Sequence, residues 1–220
     1  KRLNRDLDAV GYKFCPGEIM AGNPKWNQSL ETWKTYFNEW IRNSNPVDIL
    51  DAAIFFDFRC IHGKSELVQS LRDHVNQAAH KRAVFYYHMA QSVLKMKVHG
   101  SGSDTNTLDL KKLQLPLSSF IRLYAIREKL SECNSIRRAE ILREMGVLDE
   151  ATFDELSFTF NHLTYLRIKG QAGSIARNDP PLNTMEMNRL NRIEAALMKK
   201  ILSDISGLQT RLSTAFSGPE

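Results

Sequence analysis

The fold expected for this chain depends on one stretch, Asp48-Ile-Leu-Asp-Ala-Ala-Ile-Phe-Phe-Asp-Phe-Arg59. Alternate side chains of a strand point to opposite faces, and both faces of this stretch are apolar in the middle. The pattern predicts a central strand covered on both sides, with Asp57 and Arg59 on one face at its C-terminal end. Two explanations of this charged end stay open. It is either a metal-binding or proton-accepting Asp beside a phosphate-binding Arg, or simply the point where the strand reaches water.

The composition is that of an ordinary globular protein. Its 220 residues, 42% hydrophobic and 25% charged, suit one large domain or two small ones. No apolar run approaches the roughly 18 residues that span a bilayer, and no signal peptide opens the chain, so we expect a cytoplasmic protein without a membrane partner. The net charge of +5 is spread along mixed-charge segments, and nothing in this pattern calls for nucleic-acid binding.

The cysteines and histidines do not predict a metal site or disulfides. Cys15, Cys60 and Cys133 are widely separated and odd in number, which favours reduced thiols. The histidines lack the pair four residues apart that a zinc-binding helix uses.

The first part of the chain is a mixture of helices and an irregular loop. Residues 1–10 have helical spacing and end at Gly11, and Ser29 begins a second helix that extends to Arg42. Between them, residues 11–26 contain Pro, Gly and several large apolar side chains, which predicts an ordered loop against the central strand. Lys25 in this loop is either a phosphate contact or a solvated surface lysine.

From Ser65 onward the sequence is almost entirely helical. Residues 65–97 form one helix or two with a break near Lys81, and residues 107–116 are expected to be extended. Further helices are expected at 117–131, 135–145, 152–169 and 184–214. The fold class is therefore α+β and predominantly α, ending in an up-down helical bundle.

Two polar pairs in the helical part have simple explanations. Asp109 and Lys111 share one side of the extended segment, where they either line a ligand cleft or face water. Arg167 and Lys169 near the expected end of a helix are explained by the helix dipole.

Five ordered strings carry a resemblance to a known family. They are Gly11-Tyr-Lys-Phe-Cys-Pro-Gly17, Met20-Ala-Gly-Asn-Pro-Lys-Trp26, Leu50 to Arg59, Thr107-Leu-Asp-Leu-Lys111 and Tyr165-Leu-Arg-Ile-Lys-Gly-Gln171. Together they resemble a bacterial nucleotidyltransferase family that is often found downstream of cyclic-nucleotide-binding and CBS domains. That family is similar in turn to the uridylyltransferase that modifies the PII nitrogen-regulatory protein.

The resemblance implies two domains. Residues 1–64 would be the C-terminal part of a polymerase-β-like nucleotidyltransferase domain, and residues 65–220 a helical substrate-binding domain. Such transferases hold two Mg²⁺ ions on three carboxylates. By position, Asp57 would be the catalytic, metal-binding carboxylate, with Asp51 as the second choice for the metal.

The resemblance also suggests which residues would bind substrate. Arg59 would neutralise phosphate, and Asn23, Lys25, Asp109 and Lys111 lie in or beside the matching strings. The expected partners are a nucleoside triphosphate, an unknown protein or small-molecule acceptor, and upstream cyclic-nucleotide-binding or CBS domains. A homodimer is among the expected assemblies.

The expected function is Mg-dependent transfer of a nucleotidyl group from a nucleoside triphosphate to an acceptor in signalling. The family's Gly-Ser motif and Asp-x-Asp metal pair would precede Lys1, so this chain is expected to be a fragment that is inactive by itself. The alternative is a non-catalytic helical module that mediates interaction or dimerisation in a regulatory protein.

Overall fold

The computed structural model of the chain describes residues 2–43, 49, 52–96, 98 and 106–217. Within these ranges the protein is predominantly helical, with one small antiparallel sheet, which confirms the predicted fold class. The eight described α-helices are α1 Arg2–Ala9, α2 Leu30–Arg42, α3 Ser65–Ala79, α4 Ala83–Leu94, α5 Leu110–Arg127, α6 Ser135–Glu144, α7 Glu150–Ala176 and α8 Arg192–Ala215. None of them is long and apolar enough to cross a membrane.

The first helices begin and end where local signals place them. Gly11 has a φ of +104°, which an L side chain rarely adopts, and it follows the end of α1. The Ser29 hydroxyl accepts the backbone N–H of Thr32 and caps α2. Lys81, with a φ of +57°, separates α3 from α4, so the predicted break in this region is confirmed.

The prediction of a central strand is wrong for those of its residues that the structure describes. Ala53–Asp57 form a 3₁₀ helix, and Asp48, Leu50 and Asp51 lie outside the described residues. A strand needs a neighbouring strand for its backbone groups, and the only two strands of the described chain pair with each other.

The 3₁₀ helix is held by aromatic contacts on two sides. Phe55, in the helix, and Phe58, directly after it, line the same groove, whereas Phe56 is buried. The Phe55 ring lies 4.5 Å from Trp26, and the Phe56 ring lies 5.7 Å from Phe85 of α4, measured between centroids. The apolar run therefore packs as expected of a core segment, but with helical rather than strand geometry.

Helix α5 is the centre of the bundle. It packs against α4, α6, α7 and α8, and most of its residues are buried. It begins at Leu110, so the extended segment predicted for residues 107–116 is wrong beyond Asp109. The Asp109 carboxylate caps the backbone N–H of Lys112, and Leu110, Leu113 and Leu117 then bury one helical face.

The small sheet joins two distant parts of the chain. Strand β1, Thr107–Asp109, pairs antiparallel with β2, Thr184–Glu186, and a 3₁₀ turn follows at Met187–Arg189. The helix predicted from residue 184 therefore begins later, at Arg192, where Asn191 and Glu194 form a capping box. Helix α7 also continues to Ala176, seven residues beyond its predicted end at residue 169.

Candidate functional site

Asp57 lies at the end of the 3₁₀ helix, between two arginines of the bundle. Its Oδ2 accepts hydrogen bonds from Nε of Arg122 at 2.8 Å and from Nη2 of the same residue at 2.6 Å. Its Oδ1 accepts one from Nη1 of Arg138 at 2.6 Å. The Arg138 side chain is only 3% exposed and the Arg122 side chain 12%, against 25% for Asp57. The carboxylate is thus the counter-ion of two largely buried guanidinium groups.

The residues around Asp57 do not fit a two-metal site. Both of its carboxylate oxygens accept hydrogen bonds from arginine, and two cations beside it disfavour a third. Within the described ranges, no group of three or more His, Cys, Asp or Glu residues could hold a metal ion. The catalytic and metal-binding roles of Asp57 stay predictions, as does the metal role of Asp51, which lies outside the described residues. The structure also makes Asp57 an anchor between the N-terminal part, residues 2–79, and the bundle, which consists of helices α4 to α8.

The other residues predicted near Asp57 do not join it. Arg59 is exposed, and none of the described carboxylates forms an ion pair with it. Asn23 caps the 3₁₀ helix Pro24–Trp26 by accepting the backbone N–H of Lys25. The Lys25 ammonium lies 4.7 Å from the centroid of the Trp26 ring, a cation–π contact. Asn23 also lines an open cleft of about 560 Å³ between α1 and the loop, with Phe14 and Met20 among its walls.

A second polar group, centred on Arg167, lies between α5, α7 and the start of β2. Nε of Arg167 donates to Oδ1 of Asn183 at 3.2 Å, and its Nη1 donates to the side-chain oxygen of Gln114. Gln171 also donates to Oδ1 of Asn183, at 3.0 Å, and Gln114 donates to Oγ1 of Thr164 at 2.6 Å. We call these five residues the Arg167 network.

Among the residues that the structure describes, the cation of the Arg167 network has no carboxylate as counter-ion. Its acceptors are neutral amide oxygens, and none of the carboxylates in the described residues forms an ion pair with Arg167. The guanidinium is half-buried and fixed at two N–H groups. The explanation by the helix dipole is wrong, because Arg167 lies nine residues before the end of α7 at Ala176.

Asp109 and Lys111 lie at the border of this network. The backbone N–H of Leu110 donates to the carbonyl oxygen of Asn183 at 2.8 Å. The start of α5 therefore contacts the residue whose side chain accepts a hydrogen bond from Arg167. The Asp109 side chain caps α5, and Lys111 is exposed in its first turn. Their predicted substrate contacts stay predictions.

Sequence reasoning did not identify Arg122, Arg138, Gln114 or Asn183. The sequence contained only a weak signal for the Arg167 network. Arg167 and Gln171 belong to one of the strings that carry the family resemblance. Leu110 belongs to another, and its hydrogen bond to Asn183 brings that string beside them. Gln114 and Arg122 are both on α5, eight residues apart, so the two polar sites lie about 12 Å apart along that helix.

The fold and the two polar sites together define a helical domain with buried cationic side chains. The N-terminal part is joined to this domain through Asp57. Residues 79–216, more than half of the chain, match a family described as "putative nucleotidyltransferase substrate binding domain". Residues 1–47 match a family described as "putative nucleotidyltransferase". The chain belongs to this family of nucleotidyltransferase substrate-binding domains. No curated protein and no solved structure matches it.

Proposed function

We propose that this chain supplies acceptor recognition to an enzyme that transfers a nucleotidyl group from a nucleoside triphosphate to a protein or small molecule in signalling. The match of residues 79–216 to a substrate-binding family supports the class of function. The observation that carries the proposal further is the Arg167 network, because a binding site is expected to contain polar groups that the fold itself does not neutralise.

The chemistry of Arg167 favours an anionic acceptor. A guanidinium has more N–H donors than the two that Asn183 and Gln114 engage, and its planar fork matches a carboxylate or a phosphate. Because the Arg167 side chain is already fixed, less conformational entropy is lost when an anion binds to it. The neutral acceptors orient the group without removing its charge, which is the arrangement that leaves charge available for a ligand.

The chemical step is not assigned to the described residues. The Mg²⁺ ions used by transferases of this kind supply Lewis-acid stabilisation of the attacking and leaving oxygens. Asp57 and its surroundings form no ligand set for them, so we derive no step through the metal. The role proposed for this chain's own residues is to bind and orient the acceptor.

The experiment measures label transfer by the full-length protein. It is incubated with each labelled nucleoside triphosphate, Mg²⁺ and cell extract, and wild type is compared with Arg167→Met. Arg192→Met, at an exposed arginine of α8, is the matched control. We expect Arg167→Met to lower transfer by at least about tenfold, the loss expected for one charged hydrogen-bonded contact, and the control to keep wild-type transfer.

Each outcome of this comparison has one meaning. Transfer that survives Arg167→Met would show that the network does not recognise the acceptor. If no nucleotide gives transfer at all, the transferase assignment itself fails. Far-UV circular dichroism of each variant tests whether the bundle is folded. We expect it to be folded, since Arg167 is only half-buried and its replacement leaves the surrounding apolar core unchanged.

A further inference from the structure

A cleft on the surface of the bundle lies where the turn between α3 and α4 meets the end of α5. Its volume is about 290 Å³, near the lower limit for the sites of small ligands. The residues that line it are His80, Lys81, Ala83, Tyr86, Arg127 and Lys129. Lysine and arginine supply fixed positive charges to this lining, and no acidic residue belongs to it. We call it the α3–α5 cleft.

The charges of Lys81 and Lys129 are not neutralised within the part of the chain that the structure describes. Both residues are exposed, and none of the described carboxylates forms an ion pair with either ammonium group. Arg127 differs from them, because its Nε donates to Glu128 at 2.9 Å and this pair adds little net charge. The positive charge that the cleft offers to a ligand is therefore that of the two lysines.

The helix ends at the cleft do not cancel the charge of the lysines. Helices α3 and α5 end there, and each C-terminal end carries about half a negative charge. Helix α4 begins there, and its N-terminal end carries about half a positive charge. Together the three helix ends amount to about half a negative charge, whereas each lysine carries a full positive charge.

Arg127 and Tyr86 supply further hydrogen-bond donors at fixed positions. The Arg127 guanidinium lies 4.7 Å from the centroid of the Tyr124 ring and 5.0 Å from that of Phe216, two cation–π contacts. With Nε bonded to Glu128, its terminal nitrogens donate to no other group within the described residues. Burial raises the pKa of Tyr86 to about 12, so its hydroxyl stays protonated and can donate a hydrogen bond.

We propose that the α3–α5 cleft binds the phosphate group of a small phosphorylated molecule. A phosphate monoester carries about 1.5 to 2 negative charges near pH 7, which matches the charge of the two lysines. A carboxylate carries only one charge and matches it less well. Ammonium and guanidinium groups are the side chains that bind phosphate in proteins, and the volume of the cleft suits a phosphate with a small organic part.

This site is separate from the one proposed for the acceptor. Arg127 lies at the end of α5, thirteen residues after Gln114 of the Arg167 network. At the rise of an α-helix, this separation is about 20 Å along the helix axis. One small anion cannot contact both sites, so the two can be tested independently.

The backbone conformation of the two lysines provides variants that remove charge without straining the fold. The φ angle is +57° at Lys81 and +59° at Lys129, in the left-handed region where glycine is favoured over other residues. Lys81→Gly and Lys129→Gly therefore fit the existing backbone. We expect each variant to keep a thermal midpoint near that of wild type, measured by circular dichroism.

The experiment follows the backbone amide signals of the chain by NMR during titration with inorganic phosphate or glycerol phosphate at constant ionic strength. In wild type, the signals of residues 80–83 and 127–130 should shift and saturate below about 10 mM, as expected of a millimolar or tighter site. Each glycine variant should raise the dissociation constant by about tenfold, the loss expected for one charged contact.

Two controls match the two effects of these substitutions. Lys199→Ala removes the charge of an exposed lysine of α8 and should bind phosphate as wild type does. Asn178→Gly places glycine at another positive φ, of +60°, and should also bind as wild type does. Arg167→Met should leave the shifts at the α3–α5 cleft unchanged.

Four results would overturn the proposal. The first is a wild type without saturable shifts at residues 80–83 and 127–130, and the second is wild-type affinity in both glycine variants. The third is loss of the shifts in Arg167→Met, which would assign the anion to the Arg167 network. The fourth is binding of a short oligonucleotide without binding of glycerol phosphate, because the cleft would then be part of an extended nucleic-acid surface.

Discussion

Glu132 holds the loop between α5 and α6 in the shape that presents Arg138 to Asp57. Its carboxylate accepts the backbone N–H groups of Cys133 and Asn134 at 2.6 and 2.7 Å, while its carbonyl oxygen accepts Nε of Arg138. The hydrogen bonds from these two N–H groups lower the pKa of the Glu132 carboxyl below its ordinary value of 4.5. A single residue, through its carboxylate and its backbone carbonyl, thus links a loop conformation to the buried ion pair.

The lowered pKa of Glu132 predicts a loss of stability in acid. A carboxyl whose pKa is lower in the folded protein stabilises it above the unfolded pKa, and this contribution disappears as the pH falls through the folded pKa. We expect the free energy of unfolding to decline as the pH drops below 4.5, and Glu132→Gln to show a shallower decline. Urea unfolding at a series of pH values measures this. A slope in Glu132→Gln equal to that of wild type would refute the prediction.

At the scale of elements, Asp109 connects a structural role with a predicted functional one. Its carboxylate caps α5, the helix that every other long bundle helix contacts. Asp109→Ala removes the cap and should lower the free energy of unfolding by about 1 kcal/mol. Asp109→Asn keeps an acceptor oxygen and should cost much less.

The same pair of variants separates the cap from substrate binding. If the Asp109 carboxylate contacts substrate, Asp109→Asn should lower label transfer by the full-length protein while its urea midpoint stays near wild type. Wild-type transfer in Asp109→Asn would confine the residue to its capping role. Comparing thermal or urea unfolding with transfer in both variants makes this decision.

Elements whose limits are set by neighbouring residues could be predicted from the sequence. Ser29 at the start of α2 and Gly11 after α1 act through backbone groups a few residues away. The predictions are wrong where contacts with a distant segment of the chain determine the local structure. Residues 107–109 are extended because β2 pairs with them, and the apolar run at 53–57 is helical because it packs among aromatic rings instead of beside another strand.

The candidate sites were less predictable for the same reason. Asp57 is 65 residues from Arg122 and 81 from Arg138, so no local spacing could reveal their contact. The charged end of the apolar run predicted either a metal-binding or proton-accepting Asp57 beside a phosphate-binding Arg59, or simply a strand end that reaches water. Neither explanation includes Arg122 and Arg138, because helix packing alone brings α5 and α6 to that point.

At the scale of the whole molecule, Asp57 and its aromatic neighbours join the N-terminal part to the bundle. Besides the two ion pairs, Phe56 packs on Phe85 of α4. All three tryptophans of the chain, at positions 26, 33 and 40, belong to the N-terminal part. Tryptophan fluorescence therefore reports on that part, and far-UV circular dichroism reports mainly on the bundle helices.

These two probes predict how Asp57 affects cooperativity. In wild type, both parts should unfold in one urea transition, with coincident midpoints. Asp57→Ala leaves Arg138 buried without its carboxylate, and we expect a loss of about 2 to 4 kcal/mol, since removing one partner of a buried ion pair is strongly destabilising. The fluorescence midpoint should fall further than the dichroism midpoint, because the N-terminal part loses its anchor while the bundle keeps its apolar core.

The control for this prediction also bears on activity measurements. Arg59→Ala, two residues away at an exposed position, should leave both midpoints unchanged. If the two midpoints still coincide in Asp57→Ala, the ion pair does not join the two parts. If they separate, loss of transfer in Asp57→Ala follows from a detached N-terminal part and is no evidence of a catalytic carboxylate. The role of Asp57 in catalysis is then tested by Asp57→Asn under conditions where both transitions remain coincident, because the amide keeps an acceptor for the arginines but lacks the charge of a metal ligand.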